Sequence, residues 1–272
     1  MKIFGLLLVK NEDDIVEEVI ADALKWADKI FVVDNCSNDN TWDIIKKLAS
    51  DRVVVWGRIY TNFQEGLRSI VWESIRHEAN EGDWWCFMDA DEFYYDNPRQ
   101  FLSDIPDRYG VVATNTIEFV PLQSQERLFE SISGFDKEIF ERYMPLNWSE
   151  SRFFKSTNKL KYNGLTSRLP FATRAMYIDR IKVFHYPLRS AKQIQKRLDT
   201  RRNAVENGFN GWGHAVQDKW QEKLYRDDDT KLKSLKDDGL QWGSCAVNFN
   251  INSMNFIIRR WVKSIMYYFR LL

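Results

Sequence analysis

Ile3-Phe4-Gly5-Leu6-Leu7-Leu8-Val9 is an unbroken apolar run, as expected of a strand covered on both faces, and Lys10-Asn11-Glu12-Asp13-Asp14 ends it abruptly. Beyond it Ile15, Val19, Ala23 and Ala27 recur at helical spacing beside Val16, Ile20 and Leu24, so an amphipathic helix follows the strand. The pair then repeats. Residues 30–33 form a second short run ending in Asp34-Asn35-Cys36-Ser37-Asn38-Asp39, where Asp39 is placed to cap a helix over 41–49. A third strand is expected over 53–56, a third helix over 67–79 closed by Gly82, and a fourth strand over Trp84–Met88. This alternation predicts an α/β fold with a mainly parallel sheet flanked by helices.

Outward from that core, the chain of 272 residues is 44% hydrophobic and 29% charged, which excludes a disordered or low-complexity protein. Its 39 basic residues balance 39 acidic ones, so no global field draws it to nucleic acid, and none is expected as a partner. Cys36, Cys86 and Cys245 lie far apart with no paired spacing, which fits neither a disulfide framework nor a zinc site and points to a cytoplasmic protein. Ile3–Val9 lacks a small-residue cleavage site and reads as a strand rather than a signal peptide. No stretch reaches the roughly 20 apolar residues that span a bilayer.

After Phe93 the rhythm breaks, and Pro98, Pro106, Pro121, Pro145 and Pro170 punctuate short segments suited to walls around a site. A strand over 180–184 leads into His185-Tyr186-Pro187, and a helix is expected over 191–205, ended by Asn207-Gly208. The expected division is a catalytic domain over 1–190, with a nucleotide half (1–95) and an acceptor half (96–190), and a helical extension over 191–272 packed on or beside it.

Trp84-Trp85-Cys86-Phe87-Met88-Asp89-Ala90-Asp91-Glu92-Phe93 carries the chemistry. An apolar strand delivers carboxylates at its C-terminal edge, where open parallel sheets bind ligands, and alternation sends Asp89 and Asp91 to one side. Two hard oxygen donors there suit Mn²⁺ or Mg²⁺ bridging a diphosphate; the bland alternative is acids that cap a helix or face water. His185, alone after an apolar strand, is either a satisfied structural residue or a neutral imidazole completing a Mn²⁺ shell.

Order and spacing of three segments, Asn11-Glu12 after the first strand, Val32-Val33-Asp34 to Thr41 after the second and Asp89-Ala90-Asp91-Glu92-Phe93 after the fourth, resemble a GT-A-fold (Rossmann-like) glycosyltransferase of the family 2 type. The likeness is close over about the first 95 residues and continues more weakly through Phe184-His185-Tyr186-Pro187-Leu188-Arg189-Ser190. It implies a nucleotide sugar, most often UDP-linked, across the strand ends, with Glu12 and Asp34 near base and ribose and Val9, Lys10, Asn11, Asn35 and Ala90 on the same lip. It also places Arg68 toward the nucleotide, against the alternative of a solvated helix face, and makes His185 the third metal ligand beside Asp89 and Asp91. Arg189, Lys196 and Arg197 are candidates to neutralise the leaving diphosphate.

The family implies inversion, which needs a base for the acceptor hydroxyl. Bacterial relatives carry a His-Glu or Gly-x-His pair near the equivalent of Tyr162-Asn163-Gly164-Leu165-Thr166-Ser167, and this sequence has neither. By position the base falls to Glu118 or Glu150, with Glu92 behind them, while Trp148 and Trp212 are candidates to stack on an acceptor sugar. The implied acceptor is a glycan or lipid-linked glycan of surface polysaccharide or glycoconjugate synthesis.

Three other readings compete. A haloacid-dehalogenase-like phosphatase needs the acidic pair after the first strand and Thr or Val where Phe93 stands. A nucleotidyltransferase usually has a glycine-rich basic loop in place of Lys10-Asn11-Glu12-Asp13-Asp14. A sugar-binding protein that lost turnover draws support from the unassigned base. Residues 256–272, finally, hold four basic residues and no acid. A helix there sets Ile258, Trp261, Ile265 and Phe269 on one stripe with Arg259, Lys263 and Arg270 toward another side, which suits either docking on the body or peripheral contact with the inner face of the membrane near a lipid-linked acceptor.

Overall fold

A computed structural model describes residues 1–64, 66–162, 169–206, 217–245 and 254–269. Its first half alternates β1 (Ile3–Val9), α1 (Val16–Ala23), β2 (Lys29–Asp34), α2 (Thr41–Lys47), β3 (Val53–Arg58), α3 (Leu67–Ile75) and β4 (Trp84–Met88). All seven residues of β1 are buried. Strand alternation splits them between two cores: Ile3, Leu7 and Val9 pack with Val16, Val19 and Ile20 of α1, whereas Phe4, Leu6 and Leu8 pack with Leu67, Val71 and Trp72 of α3. That double burial is why the run is continuous rather than alternating.

The second half adds β5 (Glu92–Tyr94), α4 (Pro98–Ser103), β6 (Tyr109–Val120), α5 (Glu126–Ser131), β7 (Arg142–Pro145), β8 (Ser151–Lys155), β9 (Ala175–Met176), β10 (Ile181–His185), α6 (Ala191–Glu206), β11 (Lys233–Ser234), α7 (Leu235–Asp238) and α8 (Met254–Tyr268). The main sheet runs β11-β7-β6-β8-β4-β1-β2-β3. Strands β4, β1, β2 and β3 are parallel, as the repeated strand-helix pattern requires. From β4 outward the pairs β4-β8, β8-β6, β6-β7 and β7-β11 are antiparallel, so the acceptor half extends the sheet in mixed sense.

Strand β10 lies between β5, antiparallel to it, and β6, parallel to it. Its last residue, His185, is therefore in register with Glu92 on one side and Glu118 on the other. Register also sets the level of the strand ends: Leu7 pairs with Met88 and Val9 with Asp34, so the loops after β1, β2 and β4 open at one edge.

The segment beyond 190 does not stand apart from the body. Helix α6 lies along that edge, β11 joins the sheet through β7, and Trp242 stacks on Phe184 of β10 at a ring distance of 5.8 Å. Helix α8 docks at the start of β6, where the Arg260 guanidinium donates to the Tyr109 hydroxyl at 2.6 Å and Lys263 Nζ to the Thr173 carbonyl at 2.9 Å. Lys263, expected on a side other than the apolar stripe, is thus held against the body. Tyr109 opens β6 and Glu118 lies near its far end, so α8 sits at the opposite end of the strand from the edge just described, not beside it. Among the described residues no helix is long and apolar enough to cross a membrane. Asn207-Gly208 and Arg270 lie outside the described residues.

Candidate active site

The loop after β1 and the loop after β2 are stitched together by their own motif residues. Asn11 turns the chain at φ 58°, in the left-handed region that asparagine tolerates, its backbone N–H donates to Ser37 Oγ at 2.9 Å, and its Oδ1 accepts from Asn38 N at 2.9 Å. Glu12 N donates to Thr41 Oγ1 at 2.8 Å, while Asp39 Oδ1 accepts from Thr41 N at 2.9 Å; the cap position of α2 itself is Asn40, not the expected Asp39. Lys10 Nζ reaches the Asn35 carbonyl at 3.1 Å. These bonds fix one wall of a cleft of about 670 Å³ over the C-terminal ends of β1 and β4.

Val9, Lys10, Asn11, Glu12, Asn35, Arg68, Asp89, Ala90, Asp91, Glu118, Glu150 and His185 all line that cleft, as does Trp148. Asp34 and Arg189 do not. Asp34 is fully buried, accepting from Ser37 N at 3.0 Å and Arg58 Nε at 2.7 Å. Arg189 is also fully buried, paired with Asp14 at 2.8 Å and with Glu12, so it acts on the cleft from behind, through Glu12 and through its charge on Asp91. Lys196 likewise pairs with Asp39 at 2.8 Å and is not among the cleft residues. Trp212, His214 and the segment 163–167 lie outside the described residues.

Two charge clusters make up the floor. In the first, buried Arg152 of β8 binds Asp89, Glu92 Oε1 at 2.6 Å and Glu150 Oε2 at 2.8 Å. Arg68, buried rather than solvated, binds Asp89 from the other side and the Met88 carbonyl at 3.1 Å. The ligand atoms of Asp89, Glu92 and Glu150 lie within 4.8 Å of one another. In the second cluster, His185 Nε2 stands 3.3 Å from Asp91 Oδ2 and Nδ1 stands 3.0 Å from Glu118 Oε2, while Arg197 of α6 donates to Asp91 Oδ2 at 2.9 Å.

Burial disfavours the charged forms here, and each partner decides how far. Glu12 is pushed up to about 7 by burial, against the pull of Arg189. Glu92 is pushed up to about 7 by burial, against Arg152. Burial opposes ionisation of Asp91 as well, but His185 and Arg197 outweigh it and hold the carboxyl well below the usual range. Burial works against a charged His185 ring, and the flanking Asp91 and Glu118 reverse that and raise it well above its usual value. Arg201 is lowered to about 10 by burial, with Arg197 adding to the effect.

The sequence reading missed Arg152, Arg201, Thr200, Lys223 and Tyr225, all of which line the cleft. For Arg152 a signal existed: Ser151-Arg152-Phe153-Phe154-Lys155 is a buried strand whose second residue is a charge, and an arginine there needs carboxylates. The others come from the far face of α6 and the segment after it, where a basic helix looks like ordinary solvated surface.

Comparison with solved structures returns remote likenesses, among them a putative glucose-1-phosphate thymidylyltransferase from Bacillus anthracis at 9% identity with a TM-score of 0.33, over 57% of this chain and 69% of that one. S. aureus TarS (residues 1–349) is 13% identical with a TM-score of 0.39, over 77% of this chain and 66% of that one. GalNAc-T7, solved with UDP, GalNAc and Mn²⁺, is 15% identical with a TM-score of 0.39, over 78% of this chain and 48% of that one. The chain thus spans less than two thirds of either protein's solved length. No curated protein matches it. Residues 6–176, which carry β1 to β4, the Asp89-Ala90-Asp91 motif and the β5, β6 and β8 walls of the cleft, match glycosyl transferase family 2, and the chain belongs to that family.

Proposed function

We propose that this chain transfers a sugar from a UDP-linked donor to a hydroxyl of a glycan or lipid-linked glycan, with inversion and with the help of Mn²⁺ or Mg²⁺. The observation that carries the reading is the pairing of Asp91 with His185 at 3.3 Å at the C-terminal end of β4, facing a cleft with Arg197 beside it. A carboxylate oxygen and an imidazole nitrogen at that separation form a donor set suited to Mn²⁺, and Glu118 on the other ring nitrogen is the orienting carboxylate that metal-bound histidines commonly have. The alternative set, Asp89, Glu92 and Glu150, already has the Arg152 guanidinium among its oxygens, which supplies the positive charge those carboxylates need. Asp91 and His185 are therefore the residues assigned to the cation, while Asp89 is held on both oxygens by Arg68 and Arg152; the cation would supply Lewis-acid stabilisation of the leaving diphosphate.

The chain's own groups supply the rest. Arg197, Arg201 and Lys223 face the cleft from α6 and beyond and add positive charge where a diphosphate would depart. Asn35 Oδ1 is buried without a hydrogen-bond partner while its Nδ2 is held by the Ile59 and Thr61 carbonyls at 3.0 and 2.9 Å, so an acceptor is fixed where a uracil N–H can use it. Glu118 is held by His185 and Glu150 by Arg152; of these two base candidates the role is assigned to Glu150, which lines the cleft beside Trp148. It takes the acceptor hydroxyl proton as that oxygen bonds to the sugar C1 and the bond from C1 to the diphosphate breaks. The nucleoside end of the donor is assigned to residues within 1–95 and the acceptor to residues within 96–190, while His185 and the basic residues of α6 and beyond serve the diphosphate.

Calorimetric titration of UDP with and without Mn²⁺, followed by a panel of UDP sugars scored for hydrolysis or transfer, tests this reading. Binding of UDP is expected to tighten at least several-fold in Mn²⁺, because the cation offsets the repulsion between diphosphate and the floor carboxylates. Equal affinity in chelator and in Mn²⁺ would sink it.

A further inference from the structure

Helix α8 is turned inside out compared with an ordinary surface helix, which buries its apolar stripe and wets its charges. Its polar groups point at the body: Arg260 to the Tyr109 hydroxyl, Lys263 Nζ to the Thr173 carbonyl and hydroxyl at 2.9 and 3.0 Å, and the Tyr267 hydroxyl to Asp107 at 2.6 Å. Its outward face carries Met254, Ile257, Ile258, Trp261, Val262 and Tyr268, the largest of them, Trp261, 65% exposed. Spacings of three and four place these residues on one continuous stripe. Arg259 is exposed beside them, and the chain holds no acidic residue after Asp238.

We propose that α8 binds the surface of an anionic lipid bilayer, its outward stripe seated at the headgroup and acyl boundary and the exposed Arg259 beside it drawn to the lipid phosphates. A bilayer surface accepts an apolar stripe flanked by cations. A second copy of this chain fits less well, because a two-fold pairing of α8 with itself brings the exposed Arg259 of both helices to the seam with no carboxylate on either helix to offset them. The inference does not depend on the donor chemistry assigned above.

The test is cosedimentation of the full chain with vesicles of phosphatidylcholine alone and of equal parts phosphatidylcholine and phosphatidylglycerol, at low and high salt. The expected result is binding to the anionic vesicles that weakens in high salt. Binding should fall about tenfold in the double variant Ile258→Ser, Trp261→Ser, whose side chains face outward and whose fold and UDP titration should be unchanged. Arg259→Glu should weaken binding to the anionic vesicles and leave the neutral ones as they were. Failure to bind anionic vesicles, or equal binding by the double variant, overturns the proposal. So does a lipid-free dimer in sedimentation analysis that the double variant dissociates, which would make the occupant a second copy.

Discussion

Asp91→Asn is expected to abolish the coupling between UDP and Mn²⁺ and to lower the rate of sugar transfer by about 10²–10³, the range seen when one preorganised electrostatic contact to a transition state is lost. Asparagine keeps the shape and one hydrogen-bond acceptor for Arg197 but removes the charge that faces His185. Binding of uridine monophosphate should change little, because the residues proposed for the nucleoside end, Asn35 and Glu12, do not hydrogen-bond Asp91. Titrating UDP and uridine monophosphate into both proteins, with and without Mn²⁺, separates the two ends of the nucleotide. If the variant retains Mn²⁺-dependent tightening, Asp91 is not a cation ligand.

Arg152→Met should act on stability first. It leaves Asp89, Glu92 and Glu150 gathered within 4.8 Å without the cation that now joins them. Breaking a buried ion pair from one side costs about 3–5 kcal/mol. In a chain of this size that corresponds to a fall in melting temperature on the order of 10 °C. The sign of its pH dependence follows from Glu92, already raised to about 7 by burial against Arg152. Without the arginine its pKa rises further, so the variant keeps its proton to higher pH than the parent does, and the deficit shrinks as pH falls toward 7, below which both proteins hold the proton. Mn²⁺ should restore part of the lost stability in the variant and do so less in the parent protein, since three converging carboxylates freed of arginine become a cation site. Thermal melts across pH, with and without Mn²⁺, read all of this. A pH-independent deficit with no response to the cation would mean that Arg152 contributes packing rather than charge.

How far the sequence predicts such details depends on how local their causes are. Strands β1, β2 and β4 were legible because each buries both faces and so writes a continuous apolar run, and β4 runs over the same residues as expected, whereas the edge strand β3 is half-buried beyond Val53 and runs two residues past the expected end. The antiparallel half was not, because β5, β9 and β11 are two or three residues long and pair with strands far off in sequence. The site divides in the same way. Asp89 and Asp91 follow from alternation along one strand. Asp34 was placed near base and ribose by the family resemblance, but Arg58 from β3 and the Ser37 N–H claim it. Arg189 met a similar fate through Asp14. Arg152 lies 63 residues from Asp89, and only the pairing of β8 with β4 brings them together.

Strand β6 has a mechanical consequence. Its first residue, Tyr109, holds α8 and its tenth, Glu118, borders the cleft, so nine steps of extended chain, about 30 Å, separate the two. With α8 on a bilayer, β6 becomes a rigid stand-off that keeps the reacting centre at a fixed height. A sugar attached directly to a lipid headgroup would not reach it, whereas a glycan already grown to that height would. The protein would then count acceptor length with a strand rather than with a binding subsite. Presented with lipid-linked glycans of increasing length on one vesicle, it should pass over the short ones and begin to extend them past a threshold, a dependence that vanishes when the same glycans are offered free in solution.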